Sequence, residues 1–386
     1  MNFVAFSPQF PPNFIPFYSN LRRLGVNVLG LGDAHYETLP HDLKSSLTEY
    51  YWVTNQHNYD ELVRALGFFT HRYGKIHRLE SNNEYWLESD ARLRTDFNIP
   101  GLKVADLARI KRKSEMKAVF KKVGITAARG RICRTLPEAL DLVEETGYPL
   151  VAKPDIGVGA NKTYKIDNLD ELETFFNARQ PVDYIFEEFI AGSIQTYDGL
   201  VDQDGRIVFS SSLEYSEGVM DLVNEGLDFF YFTLRQIPPL LDQIGRKLVK
   251  AYRLRERFFH FEFFHTAEDD YIALEVNMRP PGGLTVDMWN FANDIDIFYE
   301  YANVVVNNRF SAVVTRPYFC AYVGRRYGRA YDLNNEQILA AFPRQVVSHQ
   351  PISGVFAAAL GDFGFLIRSP DFQEIEEIAG RILKKA

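Results

Sequence analysis

Two glutamates, Glu262 and Glu275, lie on consecutive β-prone runs in the second half of the chain. A short acidic segment joins the two runs, so they are expected to pair as an antiparallel hairpin. A register in which Thr266 faces Tyr271 places Glu262 directly opposite Glu275. Because side chains alternate along a strand, both glutamates share a face with Asn277. The other face of the hairpin is expected to pack through its apolar residues, Phe261, Phe263, Leu274 and Val276.

Binding of a divalent cation is the chemistry expected of this polar face. Opposed β-carbons lie roughly 4.5–5.5 Å apart, and like charges there are destabilising unless another charge offsets them. Carboxylate and amide oxygens are the ligands that Mg²⁺ or Mn²⁺ prefers, and Mg²⁺ usually binds one or two carboxylates together with substrate phosphates. The alternative is a pair of solvent-exposed acids, and a register slip of one residue would exchange the two faces. His260, expected opposite Asn277, is interpreted as a supporting or packing residue because Mg²⁺ disfavours imidazole.

A second group of residues has the chemistry to bind phosphate. Lys153 ends a hydrophobic strand, and Gly157 and Gly159 lie in the turn that follows. A lysine in this position can reach phosphate oxygens, and glycines let backbone N–H groups approach them closely. The turn matches neither a Walker loop nor the dinucleotide-binding fingerprint, and most such turns merely join two strands. Lys113 and Lys117, spaced by four residues on a basic helix, have the ordinary interpretation of a solvated face.

The elements that must position these residues begin with a βαβ unit. A strand at 2–7, a helix at 13–24 and a strand at 26–31 predict a parallel sheet. The chain of 386 residues is too long for one ordinary core, so we expect two or three domains. The first is a small doubly wound domain over residues 1–105.

The remainder of the chain is expected to form a larger domain and a C-terminal subdomain. A basic helix at 107–123 opens the larger domain, residues 106–310. Within it, strands and helices at about 125–190 alternate as a compact α+β module. Residues 311–386 mix short strands with a terminal amphipathic helix, which predicts an α+β subdomain that either completes the sheet or covers the substrate.

Composition limits the classes of partner. The chain has 43 Lys and Arg against 51 Asp and Glu, a net charge of −8, and no long basic run, so neither nucleic acid nor a membrane is an expected partner. The first 21 residues lack charged side chains but contain four prolines, which argues against a signal peptide or a membrane span. Cys133 and Cys320 are too few for a disulfide framework, so we expect a cytoplasmic protein.

Taken in chain order, several short segments resemble the motifs of the ATP-grasp superfamily. They are Lys113–Lys117, Tyr148–Pro154, Gly157–Gly159, Glu187–Ile190, Phe261–Glu262 and Leu274–Pro280. The resemblance spans about residues 1–310. The chain looks most similar to the biotin-carboxylase-like and carbamoyl-phosphate-synthase-like branch, which contains many carboxylate–amine ligases. The resemblance implies an α/β (α+β) chain with an ATP-grasp domain over 106–310, its lid at about 125–190, and a Rossmann-like pre-ATP-grasp domain over 1–105.

The same resemblance implies a role for each candidate site residue. The implied roles are ATP phosphate binding for Lys113, Lys153, Gly157 and Gly159; adenine binding for Glu187 and the backbone of Glu188, Phe189 and Ile190; Mg²⁺ or Mn²⁺ binding for Glu262, Glu275 and Asn277; and stabilisation of the transferred phosphoryl group or of a substrate carboxylate for Arg279. The loop 156–162 is expected to close over the phosphates. The chain departs from the family where a ribose-contacting glutamate is common, and Gln195 or Asp198 stands in for it.

The activity implied by the resemblance is ADP-forming ligation of a carboxylate to an amine. The carboxylate attacks the γ-phosphate of ATP, and an amine then displaces phosphate from the acyl phosphate, so no protein nucleophile is required. Cationic groups stabilise the charge that develops on the phosphoryl oxygens. The alternatives are a biotin-carboxylase-like enzyme that uses bicarbonate and a catalytically silent nucleotide-binding regulatory protein. Small-molecule substrates are expected, and a homodimer is a family expectation.

Overall fold

The computed structural model describes residues 1–157, 162–216, 228, 230–352 and 354–386. Its strands form three sheets, which are a parallel sheet of four strands, an antiparallel sheet of four and a larger antiparallel sheet of nine. The mixed α/β class is therefore as predicted. Within the described part of the chain, every helix is too short or too polar to cross a lipid bilayer.

The N-terminal sheet is parallel throughout. Its elements are β1 (Asn2–Phe6), α1 (Ile15–Arg23), β2 (Asn27–Gly32), α2 (His41–Ser46), β3 (Glu49–Trp52), α3 (Tyr59–Tyr73), β4 (Arg78–Glu80) and α4 (Leu87–Asp96). The strand order is β3–β2–β1–β4. Every residue of β1 is buried, as expected of a strand with helices on both sides. Gly25 has φ of +80°, which lets the chain leave α1 in a left-handed conformation, and the predicted βαβ unit is confirmed.

The prediction of one continuous basic helix over 107–123 is wrong. The structure has two helices there, α5 (Leu107–Lys111) and α6 (Lys113–Lys122). Between them the chain is extended at Arg112, with φ −93° and ψ 119°. The segment contains no glycine or proline, so local sequence offers no signal for the break.

Asp155, which lies just after the strand that ends at Pro154, explains the break. Its carbonyl oxygen accepts the N–H of Lys113, and its carboxylate accepts the N–H of Ser114 and the guanidinium of Arg112. The first N–H groups of a helix have no intrahelical partner, so a buried carboxylate at this point stabilises a new helix start. Tertiary contact therefore overrides helix propensity, and it fixes Lys113 as the first residue of α6.

The second sheet and its two helices form a compact unit. The elements are β5 (Gly130–Ile132), α7 (Leu136–Thr146), β6 (Leu150–Pro154), β7 (Tyr164–Ile166), α8 (Leu169–Ala178) and β8 (Tyr184–Glu188). The strand order is β5–β8–β6–β7. Both helices begin at side-chain caps, since Thr135 accepts the N–H of Glu138 and Asn168 accepts the N–H of Glu171. This unit lies within the module predicted at about 125–190.

The third sheet carries the acidic hairpin. Its strands are β9 (Ser193–Val201), β10 (Ile207–Ser211), β11 (Leu213–Tyr215), β12 (Phe230–Thr233), β13 (Arg257–His265), β14 (Tyr271–Asn277), β15 (Phe319–Arg325), β16 (Val346–Pro351) and β17 (Phe363–Ser369). The order is β14–β13–β9–β11–β12–β15–β17–β16, with β10 also paired to β9. The last three strands come from residues 311–386, so the end of the chain extends the sheet of the hairpin.

Helices cover the third sheet and bury its apolar faces. They are α9 (Pro239–Ala251), α10 (Thr285–Asn293), α11 (Ile297–Asn307), α12 (Asn335–Ala341), α13 (Gly354–Leu360) and α14 (Phe372–Leu383). One core cluster joins the apolar face of the hairpin to α6 and α9, through Met116, Phe120, Leu241 and Leu248 among others. The packing of this face leaves the polar face of the hairpin free for chemistry.

Gly245 in α9 and Gly67 in α3 offer a matched test of this packing. A β-carbon on Gly245 would lie 2.0 Å from Cδ1 of Tyr197 in β9, whereas one on Gly67 would meet no described atom within 4 Å. Alanine is favoured over glycine in a helix by about 0.5–1 kcal/mol, and overpacking a core costs about 1–3 kcal/mol. We expect Gly245→Ala to lower the melting temperature and Gly67→Ala to raise it, as measured by calorimetry. A Gly245→Ala protein at least as stable as the parent would contradict the packing of α9 on β9.

Candidate active site

The acidic pair expected from the hairpin register is present. Glu262 of β13 lies directly opposite Glu275 of β14, and His260 lies opposite Asn277. The predicted register is therefore confirmed at the glutamates. On the opposite face, three of the four apolar residues named from the sequence are buried in the core, Phe261, Phe263 and Val276.

The register changes next to the turn. His265, rather than the expected Thr266, faces Tyr271, and a β-bulge with Leu274 as the extra residue joins the two registers. Two errors in the sequence prediction cancel, because the turn is one residue longer than assumed and the bulge restores the pairing. The prediction that Leu274 packs in the core is wrong, since the bulge places Ala273 there instead.

The two glutamates have different charged neighbours. Lys113 Nζ lies 3.6 Å from Glu275 Oε1 and donates a hydrogen bond to the carbonyl oxygen of Gly157 at 3.3 Å. Burial raises the pKa of Glu275, with Lys113 opposing and the charge of Glu262 adding to the rise. Burial also acts to raise the pKa of Glu262, but the hydrogen bond and charge of His260 outweigh it and lower that pKa below its usual value. One carboxyl of the opposed pair thus gives up its proton more readily than the other.

The donor atoms of this face fit a magnesium ion. Glu262 and Glu275 keep 21% and 19% of their side chains exposed, so an ion and a nucleotide can reach them. Within the described residues, no three His, Cys, Asp or Glu side chains are grouped to hold a metal without other ligands. Two carboxylates and the amide oxygen of Asn277 leave coordination positions for phosphate oxygens, which is the usual way in which Mg²⁺ is bound.

Lys153, Lys117 and Glu187 form a second charged group. The two carboxylate oxygens of Glu187 each lie 2.5 Å from a lysine Nζ, Oε2 from Lys153 and Oε1 from Lys117. Burial acts to raise the pKa of Glu187, but the two lysines outweigh it and lower that pKa. Glu187 and Lys153 lie on neighbouring strands, β8 and β6. The residue expected to meet adenine is therefore adjacent to a lysine expected to meet phosphate.

Lys117 is a site residue that the sequence interpretation missed. Its side chain is only 17% exposed, and it donates a hydrogen bond to the carbonyl oxygen of Ala128. Burial outweighs the opposing charge of Glu187 and lowers the pKa of Lys117. The interpretation as a solvated face is wrong. The available signal was the four-residue spacing from Lys113, which puts both lysines on one side of α6, facing the acids.

The remaining nucleotide candidates lie at the end of β8 and in the turn after β6. The carboxylate of Glu188 accepts the backbone N–H of Arg129 and pairs with its guanidinium. Phe189 is exposed and Ile190 is half-buried. Gly157 is described, whereas Gly159 lies outside the described residues together with the rest of 158–161 in the predicted phosphate loop.

Gln195, expected to contact ribose, is buried and already engaged. Its amide oxygen accepts a hydrogen bond from Tyr271, and its amide nitrogen donates to Glu214 at 3.0 Å and lies 3.2 Å from Nδ1 of His265. The alternative, Asp198, is fully buried. The geometry favours neither side chain for ribose, and the assignment stays a prediction.

Arg279 lies between the hairpin and the N-terminal sheet. Its Nε is 3.3 Å from Glu84 Oε2, and its Nη2 is 3.5 Å from Asn277 Oδ1. Glu84 follows β4 at the carboxyl end of the parallel sheet, which is where open α/β sheets bind ligands. Sequence reasoning missed Glu84 because 195 residues separate it from Arg279. The guanidinium therefore lies next to Asn277 and close to the carboxyl edge of the N-terminal sheet.

Comparison with known proteins gives a consistent result. No protein-family model matches the chain. The L-arginine-specific L-amino acid ligase of Bacillus subtilis is 22% identical over 259 residues, which are 61% of this chain and 61% of that protein. The chain thus matches about three fifths of the length of this relative.

Solved structures of similar fold cover nearly the whole chain. The L-amino acid ligase from Bacillus licheniformis has a TM-score of 0.75 and 15% identity, covering 98% of this chain and 95% of that one. The biotin carboxylase domain dimer of the Hydrogenobacter thermophilus 2-oxoglutarate carboxylase, in complex with MgADP, ADP and bicarbonate, has a TM-score of 0.68 and 15% identity, covering 95% and 86%. The chain therefore has the ATP-grasp fold that its motifs predicted, with a Rossmann-like N-terminal domain, and its relatives in sequence and structure are ATP-grasp ligases.

Proposed function

We propose that the chain is an ATP- and Mg²⁺-dependent ligase that joins a carboxylate to an amine and releases ADP and phosphate. The observation that carries the proposal is the opposed pair Glu262 and Glu275, with Lys113 beside one of them and Arg279 at the edge of the same face. Sequence similarity to an L-amino acid ligase supports it independently.

The proposed roles follow from where each side chain lies. Lys113 and Lys153 bind the phosphates, since both are nearly buried cations and each lies close to an acid that a bound nucleotide would replace as a partner. Glu187 binds the adenine amino group. A Mg²⁺ ion held by Glu262, Glu275 and Asn277 would supply positive charge to the phosphate oxygens. By these assignments, the nucleotide site lies between β6, β8 and the hairpin.

The reaction consists of two displacements. A substrate carboxylate oxygen forms a bond to the γ-phosphorus of ATP as the bond to the β–γ bridging oxygen breaks, which releases ADP. The amine nitrogen then bonds to the acyl carbon, the carbon–oxygen bond to phosphate breaks, and the nitrogen loses a proton. Arg279 stabilises the negative charge on the transferred phosphoryl group or anchors the carboxylate, and a fixed cation does this without reorganising.

A carboxylase that uses bicarbonate is the second candidate. The structural likeness to a biotin carboxylase domain favours it. The chain contains no Met-Lys-Met biotin-attachment sequence, so this function would need a separate carrier. The partners proposed here are small molecules. A homodimer is part of the proposal because the similar biotin carboxylase domain is a dimer, and a cytoplasmic location is part of it because Cys133 and Cys320 are both buried and free.

A substrate panel distinguishes the candidates. ADP release with MgATP is measured against single amino acids, pairs of amino acids and simple amines, and separately against bicarbonate with free biotin. We expect turnover that depends on both a carboxylate and an amine, with product mass equal to the two substrates minus water. Turnover only with bicarbonate and biotin would support the carboxylase, and nucleotide binding without turnover on any substrate would support a silent regulatory protein.

Replacing Glu275 by Gln tests the metal site. The change keeps the shape of the side chain but removes a charge that the ion requires. Mutation of residues that merely support metal ligands already lowers affinity or activity by about 10- to 100-fold. We expect Mg²⁺-dependent ADP formation to fall by more than roughly 100-fold. Glu268→Gln, at the exposed turn of the same hairpin, is the matched control and should retain activity. Equal activity of the two variants would refute the site.

Replacing Lys113 by Met tests phosphate binding. Hydrogen bonds to charged groups contribute about 1.5–3 kcal/mol, so we expect the KM for ATP to rise roughly 10- to 150-fold. Lys122→Met, on the exposed side of the same helix, is the control and should leave that KM unchanged. The proposal fails at this residue if both variants bind ATP as the parent does.

A further inference from the structure

His260 connects a proposed metal ligand to a fully buried acid. Its Nε2 lies 3.0 Å from Glu262 Oε1, and its Nδ1 lies 2.7 Å from Asp198 Oδ1. His260 is 5% exposed and Asp198 is 0% exposed. The two residues lie directly opposite each other on neighbouring strands, β13 and β9. The imidazole therefore lies between two carboxylates, of which one is fully buried in the sheet and the other is partly exposed.

Asp198 is itself held in place by the sheet. Its Oδ2 accepts a hydrogen bond from the hydroxyl of Thr196 at 2.6 Å, and that hydroxyl oxygen accepts the backbone N–H of Leu213 at 3.0 Å. Thr196 and Asp198 belong to β9, His260 to β13 and Leu213 to β11. The chain of hydrogen bonds thus begins in the backbone of β11, passes through β9 and ends on β13 at the carboxylate of Glu262.

The other oxygen of Glu262 has no such partner. Within the described residues, hydrogen bonds and ion pairs reach the carboxylate of Glu262 only through Oε1, from His260. A fifth of the side chain is exposed, at 21%. Oε2 is therefore the oxygen available to a ligand. Glu275 differs, because its partner Lys113 is also a proposed phosphate-binding residue and would move to the nucleotide when ATP binds.

We propose that His260 is a positioning residue, held by Asp198, that fixes the carboxylate of Glu262 so that Oε2 faces the cation. This inference rests on the proposed function and adds two residues to it. Groups hydrogen-bonded behind metal ligands fix the orientation of those ligands, and their loss weakens metal binding without removing a ligand. A histidine that merely packs between strands would contribute to folding stability but not to the affinity for the ion.

Binding of Mn²⁺ separates these two roles. The dissociation constant of Mn²⁺ is measured by electron paramagnetic resonance on the full chain, in the presence of the non-hydrolysable analogue AMP-PNP. We expect His260→Ala to raise that constant by about 10- to 100-fold. Asp198→Asn should raise it in the same direction, and His260→Gln, whose amide can still donate to Glu262, should recover part of the loss. Binding of AMP-PNP in EDTA should be unchanged in the two His260 variants.

His77→Ala is the matched control. His77 is a half-buried histidine that accepts a hydrogen bond from the backbone N–H of Asn2, at the amino end of β4. We expect this variant to lose some thermal stability and to bind Mn²⁺ as the parent does. The comparison removes the general effect of deleting a partly buried imidazole.

Each outcome decides the inference. A folded His260→Ala protein with the parent's Mn²⁺ affinity overturns it, even if the melting temperature falls. If that variant does not fold, His260→Gln and Asp198→Asn carry the test, and unchanged affinity in both overturns it. A parent protein that binds AMP-PNP but no Mn²⁺ overturns the proposed metal site as well, whereas normal Mn²⁺ binding by the parent and by the His260 variants overturns this inference alone.

Discussion

Two carboxylates that face each other across neighbouring strands set the constraint on which the site depends. Glu262 and Glu275 repel, and without compensation their opposition would destabilise the hairpin. Each has its own partner: His260 of the same strand, β13, contacts Glu262, and Lys113 of α6 contacts Glu275. Both glutamates nevertheless keep about one fifth of their side chains exposed, so an ion can reach them. The compensation is thus compatible with metal binding.

The N-terminal sheet is joined to this hairpin through buried charges. Glu80, the last residue of β4, pairs with Arg94 of α4 at 2.6 Å and with Arg257, the first residue of β13, at 2.7 Å. Both arginines are almost fully buried, and removing one member of such a network costs about 3–5 kcal/mol. Four residues after Glu80, Glu84 meets Arg279. The carboxyl edge of the parallel sheet is therefore fixed relative to the strand that carries Glu262.

Sequence reasoning succeeded where a repeating local pattern determines the outcome. The alternation of β13 and β14 predicted the shared face of the acids, and the βαβ pattern predicted the parallel sheet. It failed where residues distant in the sequence determine the local structure or the burial of a side chain. The break at Arg112 depends on Asp155, the burial of Lys117 depends on Glu187, and the contact between Glu84 and Arg279 spans two sheets. The bulge at Leu274 could not be foreseen either, since nothing in a run of alternating residues marks the extra one.

The contacts of Asp155 have a mechanical consequence. Because one residue binds the start of α6 and directly follows the end of β6, it ties together the two elements that carry Lys113 and Lys153. The two lysines proposed to bind phosphate therefore stand on backbones whose relative position one aspartate determines.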